Sequence, residues 1–253
     1  MLDQVARIAA EAGRIAAARC GEEYRRWEKV PGHPVCDVDL ELDAFLRERL
    51  TAIDPEAGWL SEETLDDSDR IERSRLWVVD PIDGTRDFLR GRDGWCVSIA
   101  LVEDRVPIVG VLDAPARGEH WAAARGKGAS RNGEQLKVSG RTIFPGSRVP
   151  SDQLPKADSD LVAVAKPNSI ALRIALVAAG EADLVATLKW GFEWDIAAAA
   201  LIAAEAGATV SGAFGQPLAF NTASGEAFGV LVATPGIHAA AAERLRERAL
   251  AVV

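Results

Sequence analysis

The stretch LWVVDPIDGTRDF, residues 76–88, decides how this chain is read. Its opening, Leu76-Trp77-Val78-Val79, is a compact run of branched and aromatic residues, the composition of a strand. Asp80 ends that run, Pro81 fixes its own φ and removes an N–H, and Asp83 follows three residues after Asp80. Gly84-Thr85 then opens a turn or helix whose free N–H groups point outward. Two carboxylates and the exposed Ile82 carbonyl at one strand end form a hard-oxygen site suited to Mg2+. The neighbouring amides of Gly84 and Thr85 suit a phosphate, so both halves of a phosphoryl-transfer site arise within six residues. The same hexapeptide also reads as an ordinary turn, with Pro at the second position and Asp as a local acceptor.

Acidic groups elsewhere tilt that balance. Glu62 and Glu63 terminate WLSEE, where a structural strand end seldom needs adjacent acids, although a solvated loop would also hold them. Asp195 stands directly after Trp194 at the head of a very apolar run, where it also reads as a plain helix N-cap. The haloacid dehalogenase pattern DxDGT is a competing phosphatase chemistry, with its first Asp as covalent nucleophile. Here the spacing is DxxDGT, and the extra residue redirects the second carboxylate, so that geometry does not transfer.

Working outward, MLDQVARIAAEAGRIAAARC alternates charged and apolar residues at helical spacing, predicting an amphipathic helix with Leu2, Val5, Ile8, Ala12 and Ile15 on one side. A second helix is predicted over residues 39–50. WCVSIALVED, VPIVGVLDA and EHWAAAR read as an antiparallel meander, and RNGEQLKVS as a hairpin turning at Asn132-Gly133. Residues 140–160 scatter Pro145, Pro150 and Pro155 among Ser, Asp and Gly, as in a linker or long surface loop. Beyond them DLVAVA, ADLVATL, TVSG and FGVLVAT read as strands. SIALRIALVAAG, DIAAAALIAAEAG and the last segment read as helices, the second with Asp195 at its N-cap. Two α/β layers follow, divided into an α+β unit over residues 1–140 and an α/β unit over residues 141–253.

Composition narrows the function. A chain of 253 residues with 48% apolar and 26% charged content is not disordered and needs no disulfide or structural metal for a core. Its net charge of −9 argues against nucleic acid or an anionic membrane as partner, since both need clustered Lys and Arg. Cys20, Cys36 and Cys96 lie far apart, as do His33, His120 and His238, so a zinc site is not expected and a reducing cytoplasm is the natural compartment. No run approaches the roughly 18 apolar residues of a membrane span, and the N-terminus lacks a signal peptide's features. The seven tryptophans read as core or interface residues, Trp190 either as core or as a pocket wall.

Together, Asp80-Pro81-Ile82-Asp83-Gly84-Thr85, Ser61-Glu62-Glu63 and Trp194-Asp195-Ile196-Ala197-Ala198 resemble the inositol monophosphatase superfamily, the Mg2+-dependent, lithium-sensitive phosphomonoesterases. VCDVDLELDAFL resembles the family's N-terminal VTxxDxxxD helix, with Cys36 in place of the usual Thr, and RNGEQLKVS resembles its hairpin. The resemblance implies a layered αβαβα sandwich, usually a homodimer, with Glu62, Asp80, the Ile82 carbonyl, Asp83 and Asp195 as ligands of two or three Mg2+ ions. It implies that Asp39 helps hold a weaker ion through water. Glu62 and Thr85 would orient and deprotonate the attacking water, and the Gly84 and Thr85 amides, with Asp83 beside them, would receive the phosphate.

Inositol monophosphatases typically carry a Glu seven residues before the last Asp of the motif, where it binds a ring hydroxyl; here that position is Leu188. Glu193 instead gives Glu-Trp-Asp, similar to the 3'(2'),5'-bisphosphate nucleotidase branch, and Arg173 either faces a second phosphate or lies on a solvated helix face. The expected substrate is a small phosphorylated metabolite, foremost 3'-phosphoadenosine 5'-phosphate, with inositol 1-phosphate or another polyol phosphate as the alternative. A non-catalytic relative that binds a phosphorylated ligand is the alternative of another class. The segment between Val149 and Asp160 looks short, as though a helix of the second unit were missing.

Overall fold

The strand expected at Leu76-Trp77-Val78-Val79 runs Arg75–Asp83 in the computed structural model, which describes residues 1–20, 25–30 and 33–252. It is the second strand of a seven-stranded sheet ordered Gly58–Ser61, Arg75–Asp83, Cys96–Glu103, Val106–Ala114, Glu119–Ala124, Ala129–Arg131 and Glu134–Gln135. The first pair is parallel and every later pair antiparallel, so the expected meander is present. The hairpin turns where expected, at Asn132 and Gly133, both with positive φ.

Among the described residues the α-helices are α1 (Leu2–Arg19), α2 (Asp37–Ile53), α3 (Thr85–Phe88), α4 (Ile170–Ala178), α5 (Ala197–Glu205) and α6 (Pro235–Leu250). Strand alternation sorts the sheet's side chains into two cores. Trp77, Val79, Ile99, Leu101 and Val111 pack with α1 and α2 on one face, and Leu76, Val78, Ala100, Val102 and Trp121 with α4 and α5 on the other. On α1 the buried line is Val5, Ala9, Ala12 and Ala16; the larger Ile8 and Ile15 flank it half-buried, because small residues let the helix lie close to the sheet.

The alanines of α5 do the same on the opposite face. Ala197 through Ala200 and Ala203 are buried, and a Cβ on Gly110 would meet the Ala198 carbonyl at 2.7 Å, so helix and sheet touch backbone to backbone there. The far sides of α4 and α5 meet Val185 and Val232 of an antiparallel three-stranded sheet, Leu184–Ala186, Leu231–Ala233 and Thr209–Ser211. Its outer residues Leu184, Leu231 and Ala233 pack with Ile237 and Ala241 of α6. The layers are therefore αβαβα.

Several local expectations are corrected. FGVLVAT is not one strand: Gly229 at φ +66° breaks it into Glu226–Phe228, paired with Trp190–Phe192, and Leu231–Ala233. Residues 140–160 are not only a linker, because Arg148–Pro150 pairs in parallel with Val162–Val164, and only a 3-10 turn, Lys156–Asp158, forms between these strands. Trp77, Trp95 and Trp121 are buried as expected, whereas Trp190 is 57% exposed and packs on Phe228. No helix among the described residues is long and apolar enough to cross a membrane.

Candidate active site

Residues three apart on a regular strand face opposite sides of a sheet, so Asp80 and Asp83 need a distortion to act together. They have one. Asp80 pairs with Ser98 and Asp83 with Cys96, so three steps on one strand oppose two on its neighbour, and the irregularity falls at Pro81-Ile82 where the proline offers no ladder N–H. Gly84 then turns at φ +98°, where an added Cβ would also strike the Gly94 carbonyl at 2.6 Å, and starts the short helix α3.

Asp195 meets this strand end from the other half of the chain. It does not cap α5 as expected: it ends the 3-10 turn Glu193–Asp195, and Ile196 holds the cap position without a side-chain bond. Oxygen atoms of Asp80, Asp83 and Asp195 all lie within 4.8 Å of one another. Glu62 joins them from the neighbouring strand. Parallel register sets Ser61 opposite Val79, and the Glu62 amide donates to the Val79 carbonyl at 3.3 Å, so Glu62 leaves the sheet beside Asp80. All four acids, with Ile82, Gly84, Thr85, Arg86, Asn168 and Lys189, line one cleft of about 220 Å³.

The acids are held in different ways. Asp83 accepts hydrogen bonds from the Ser169 hydroxyl at 2.5 Å and the Ala171 amide at 2.8 Å, which fastens it to the start of α4. Asp80 accepts the Ile82 amide at 3.0 Å, and Asp195 the Phe192 amide at 3.4 Å. Behind Glu62, Asp43 accepts the hydroxyls of Ser61 and Thr64 and fixes the turn between them. The Thr85 hydroxyl donates to the Ile82 carbonyl at 3.1 Å. Asp39 does not line the cleft; its carboxylate accepts the Cys36 amide at 2.8 Å and thiol at 3.0 Å, and its charge reaches Asp80 through space.

Burial, then the charges of Glu62, Asp83, Asp195 and Asp39, push the Asp80 carboxyl well above the ordinary carboxylate range. Asp195 is pushed up by burial and by Asp83 and Glu62. Burial also raises Asp83, against the Ser169 and α4 hydrogen bonds and the Arg173 charge. Mutually repelling, oxygen-only donors, of which Asp80 and Asp195 each accept a single backbone amide, fit a hard divalent cation such as Mg2+. Cys36, beside Asp39, is raised to about 12 by burial and by that carboxylate, so it remains a thiol.

The cleft continues into a second cavity of about 230 Å³ that shares Asp83, Arg86, Asn168, Lys189 and Asp195 with it and adds Arg173 and the apolar Ile170, Phe192, Ile196 and Val230. Arg173 stands in this wall rather than on a solvated face, with Nε donating to the Pro167 carbonyl at 2.8 Å and a second nitrogen to the Asn168 carbonyl at 2.5 Å. Glu193, expected on the substrate side, lines neither cavity. It is fully buried and accepts the amides of Asn221 and Thr222 at 2.7 and 2.8 Å and the Thr222 hydroxyl at 2.6 Å. Sequence reasoning missed Arg86, Asn168, Ser169 and Lys189. Only Ser169 carried a local signal, as a serine ahead of an apolar helical run.

Comparison with known proteins agrees with this geometry. The model of the inositol monophosphatase family matches residues 1–253. The chain belongs to that family. It is thus a phosphoric monoester hydrolase, in a family that in general depends on Mg2+. A 3'(2'),5'-bisphosphate nucleotidase CysQ of Aggregatibacter actinomycetemcomitans is 30% identical over 240 residues, covering 87% of each chain. A histidinol-phosphatase of Mycobacterium tuberculosis is 31% identical over 249 residues, covering 91% of each. The solved structure of SuhB from Bartonella henselae superposes with a TM-score of 0.83 at 26% identity, covering 97% of this chain and 98% of that one. Inositol monophosphatase relatives thus bear different substrate names at similar distance, and substrate choice has to be argued from the cavity.

Proposed function

We propose that this phosphatase removes a phosphate from 3'-phosphoadenosine 5'-phosphate by direct attack of water. One observation carries the reading: the carboxylate cleft opens onto a cavity walled by Arg86, Arg173 and Lys189. An acidic half for a cation and a cationic half for an anion suit a ligand with two phosphates. Leu188, where inositol monophosphatases carry their hydroxyl-binding Glu, lines a different cavity with Leu184 and Ala186, so position 188 supplies no acid to this one.

In this reading Glu62, Asp80, the Ile82 carbonyl, Asp83 and Asp195 hold two or three Mg2+ ions. When bound, Mg2+ neutralises phosphoryl charge and lowers the pKa of the attacking water. Glu62 accepts the proton of that water, which the Thr85 hydroxyl orients. The Gly84 and Thr85 amides receive the phosphoryl oxygens. Arg86 and Lys189 hold the second phosphate, and Arg173, pinned to two carbonyls, supplies a fixed positive wall. The working molecule in this reading is a homodimer in the cytoplasm, on the family resemblance and the three unpaired cysteines.

The test is phosphate release from the nucleotide bisphosphate, inositol 1-phosphate and histidinol phosphate, with Mg2+ and with EDTA. Highest kcat/KM on the bisphosphate is expected. Lys189→Ala should raise KM for that substrate roughly tenfold, the loss of one charged hydrogen bond, and leave inositol 1-phosphate unchanged. Equal loss on both substrates refutes the second-phosphate assignment.

A further inference from the structure

Glu193 lies two residues before Asp195 in the same 3-10 turn, and its carboxylate gathers three hydrogen bonds from Asn221 and Thr222. Those two residues turn to the opposite side of the site. The Arg70 guanidinium, 2% exposed, donates to the Asn221 side-chain oxygen at 2.7 Å and the Thr222 carbonyl at 3.0 Å, and the Asn221 side chain returns a bond to the Arg70 carbonyl at 3.1 Å. Arg70 is gripped in turn by Asp66, at 2.5 and 2.8 Å. Asn221 holds the left-handed φ of +56° needed to present its amide to Glu193 and its side chain to Arg70.

The far end of this chain of bonds bears on Glu62. Arg70 sits in the 3-10 turn Ser68–Glu72, packed so closely on the strand Gly58–Ser61 that a Cβ on Gly58 would meet the Arg70 Cα at 3.2 Å. That strand delivers Glu62 to the cleft. The turn at the other end delivers Asp195. Hydrogen bonds therefore run from Glu193 through Asn221 to Arg70, and close packing of Arg70 on Gly58, four residues before Glu62 in sequence, carries the path to the strand that delivers the second acid.

We propose that Glu193, Asn221 and Arg70 form a buried positioning strut that sets the span between Glu62 and Asp195, so that cation affinity in the cleft depends on residues that never touch the ion. The inference rests on the metal reading given above. Partners that orient ligands in this way typically contribute 10–100-fold to metal affinity, and fully satisfied buried networks hold geometry that a hydrophobic contact leaves loose.

The test is calorimetric titration of Mg2+ into metal-free full-length protein, alongside thermal unfolding. Glu193→Gln turns one acceptor of the carboxylate into a donor. Asn221→Gly keeps the left-handed backbone and removes both side-chain bonds to Arg70, leaving only the Arg70 bond to the Thr222 carbonyl. Thr222→Val removes one hydroxyl bond and is the mildest variant should either of the others fail to fold. Each should weaken Mg2+ binding, by roughly tenfold for the first two. The Glu193→Gln, Asn221→Gly pair should be less than additive, since both cut one path. Asp183→Asn, destabilised where its carboxylate loses the Arg148 and Ser139 hydrogen bonds away from the strut and the cleft, should bind Mg2+ as wild type does. Wild-type affinity in folded strut variants overturns the strut alone. A wild-type protein that binds no Mg2+ overturns the metal reading and the strut with it.

Discussion

Asp80→Asn separates the two roles of the acidic cluster, because the same charge that holds a cation destabilises the protein without one. Asp80 is 1% exposed, and its oxygen lies within 4.8 Å of oxygens from Asp83 and Asp195. At that distance and an effective dielectric constant of about 20, each like-charged pair repels by about 3.5 kcal/mol. Uptake of a proton relieves part of this in the metal-free protein, leaving about 1–3 kcal/mol for the neutral amide to remove. In EDTA the variant should therefore unfold about 2–10 °C above wild type. In excess Mg2+ the order should reverse, since a ligand at a hundredfold its Kd adds about 2.7 kcal/mol to wild type and little to the variant. Hydrolysis should fall roughly a hundredfold or more with the lost charge stabilisation. Asp83 is the poorer choice, because its carboxylate also anchors Ser169 and Ala171 at the start of α4. Scanning calorimetry under both conditions decides: a variant less stable than wild type in EDTA, with an undiminished response to Mg2+, refutes the reasoning.

Two further perturbations test the scaffold. Asp183 is raised by burial but lowered more by hydrogen bonds from the Arg148 side chain, Ser139 hydroxyl and Arg148 amide, from an ordinary 3.8 to about 2. A depressed acid stabilises the fold above its unfolded pKa and loses that contribution as pH falls through the folded one, so Asp183→Asn should cost about 2 kcal/mol at neutral pH. The gap to wild type should close as pH falls from about 4 to about 2, and denaturant melts showing a constant gap would exclude the charge as its source. Gly110→Ala forces a methyl against the Ala198 carbonyl at 2.7 Å and should cost about 1–3 kcal/mol; an unchanged Tm would mean that α5 rides farther from the sheet.

How much of this was legible depended on how far apart the interacting residues lie. The strand through Leu76-Trp77-Val78-Val79, the Asn132-Gly133 hairpin and the alanine-rich α5 are local patterns, and the structure contains all three, although the strand runs on past Asp80 to Asp83. FGVLVAT misled because its apolar content suits one strand, while Gly229 takes a conformation that splits it between two sheets. Lys189 and Arg86 were invisible as cavity residues, since nothing near them in sequence records the strands that bring them together. The short segment between Val149 and Asp160 holds the end of the strand Arg148–Pro150 and a 3-10 turn, and only five residues join Val164 to Ile170.

Glu193 and Asp195 show what a sequence leaves undecided. Both are acids of one three-residue turn, and the motif alone assigns both to the site. Three donors from residues 221–222 surround Glu193, so its charge is satisfied and it is spent on structure. Asp195 receives one long bond, at 3.4 Å, and faces two further carboxylates of the cluster. A half-buried carboxylate facing other carboxylates, with one long bond of its own, favours a cation or a proton beside it. Within this turn the donor number separates the two acids, whereas Asp83 takes three donors from Ser169, Ile170 and Ala171 and still lines the cleft, marked there by its place beside Asp80 and Asp195. That number is fixed by residues roughly thirty positions away at Glu193 and by the bulge at Pro81-Ile82 for Asp80, not by the acidic motifs themselves.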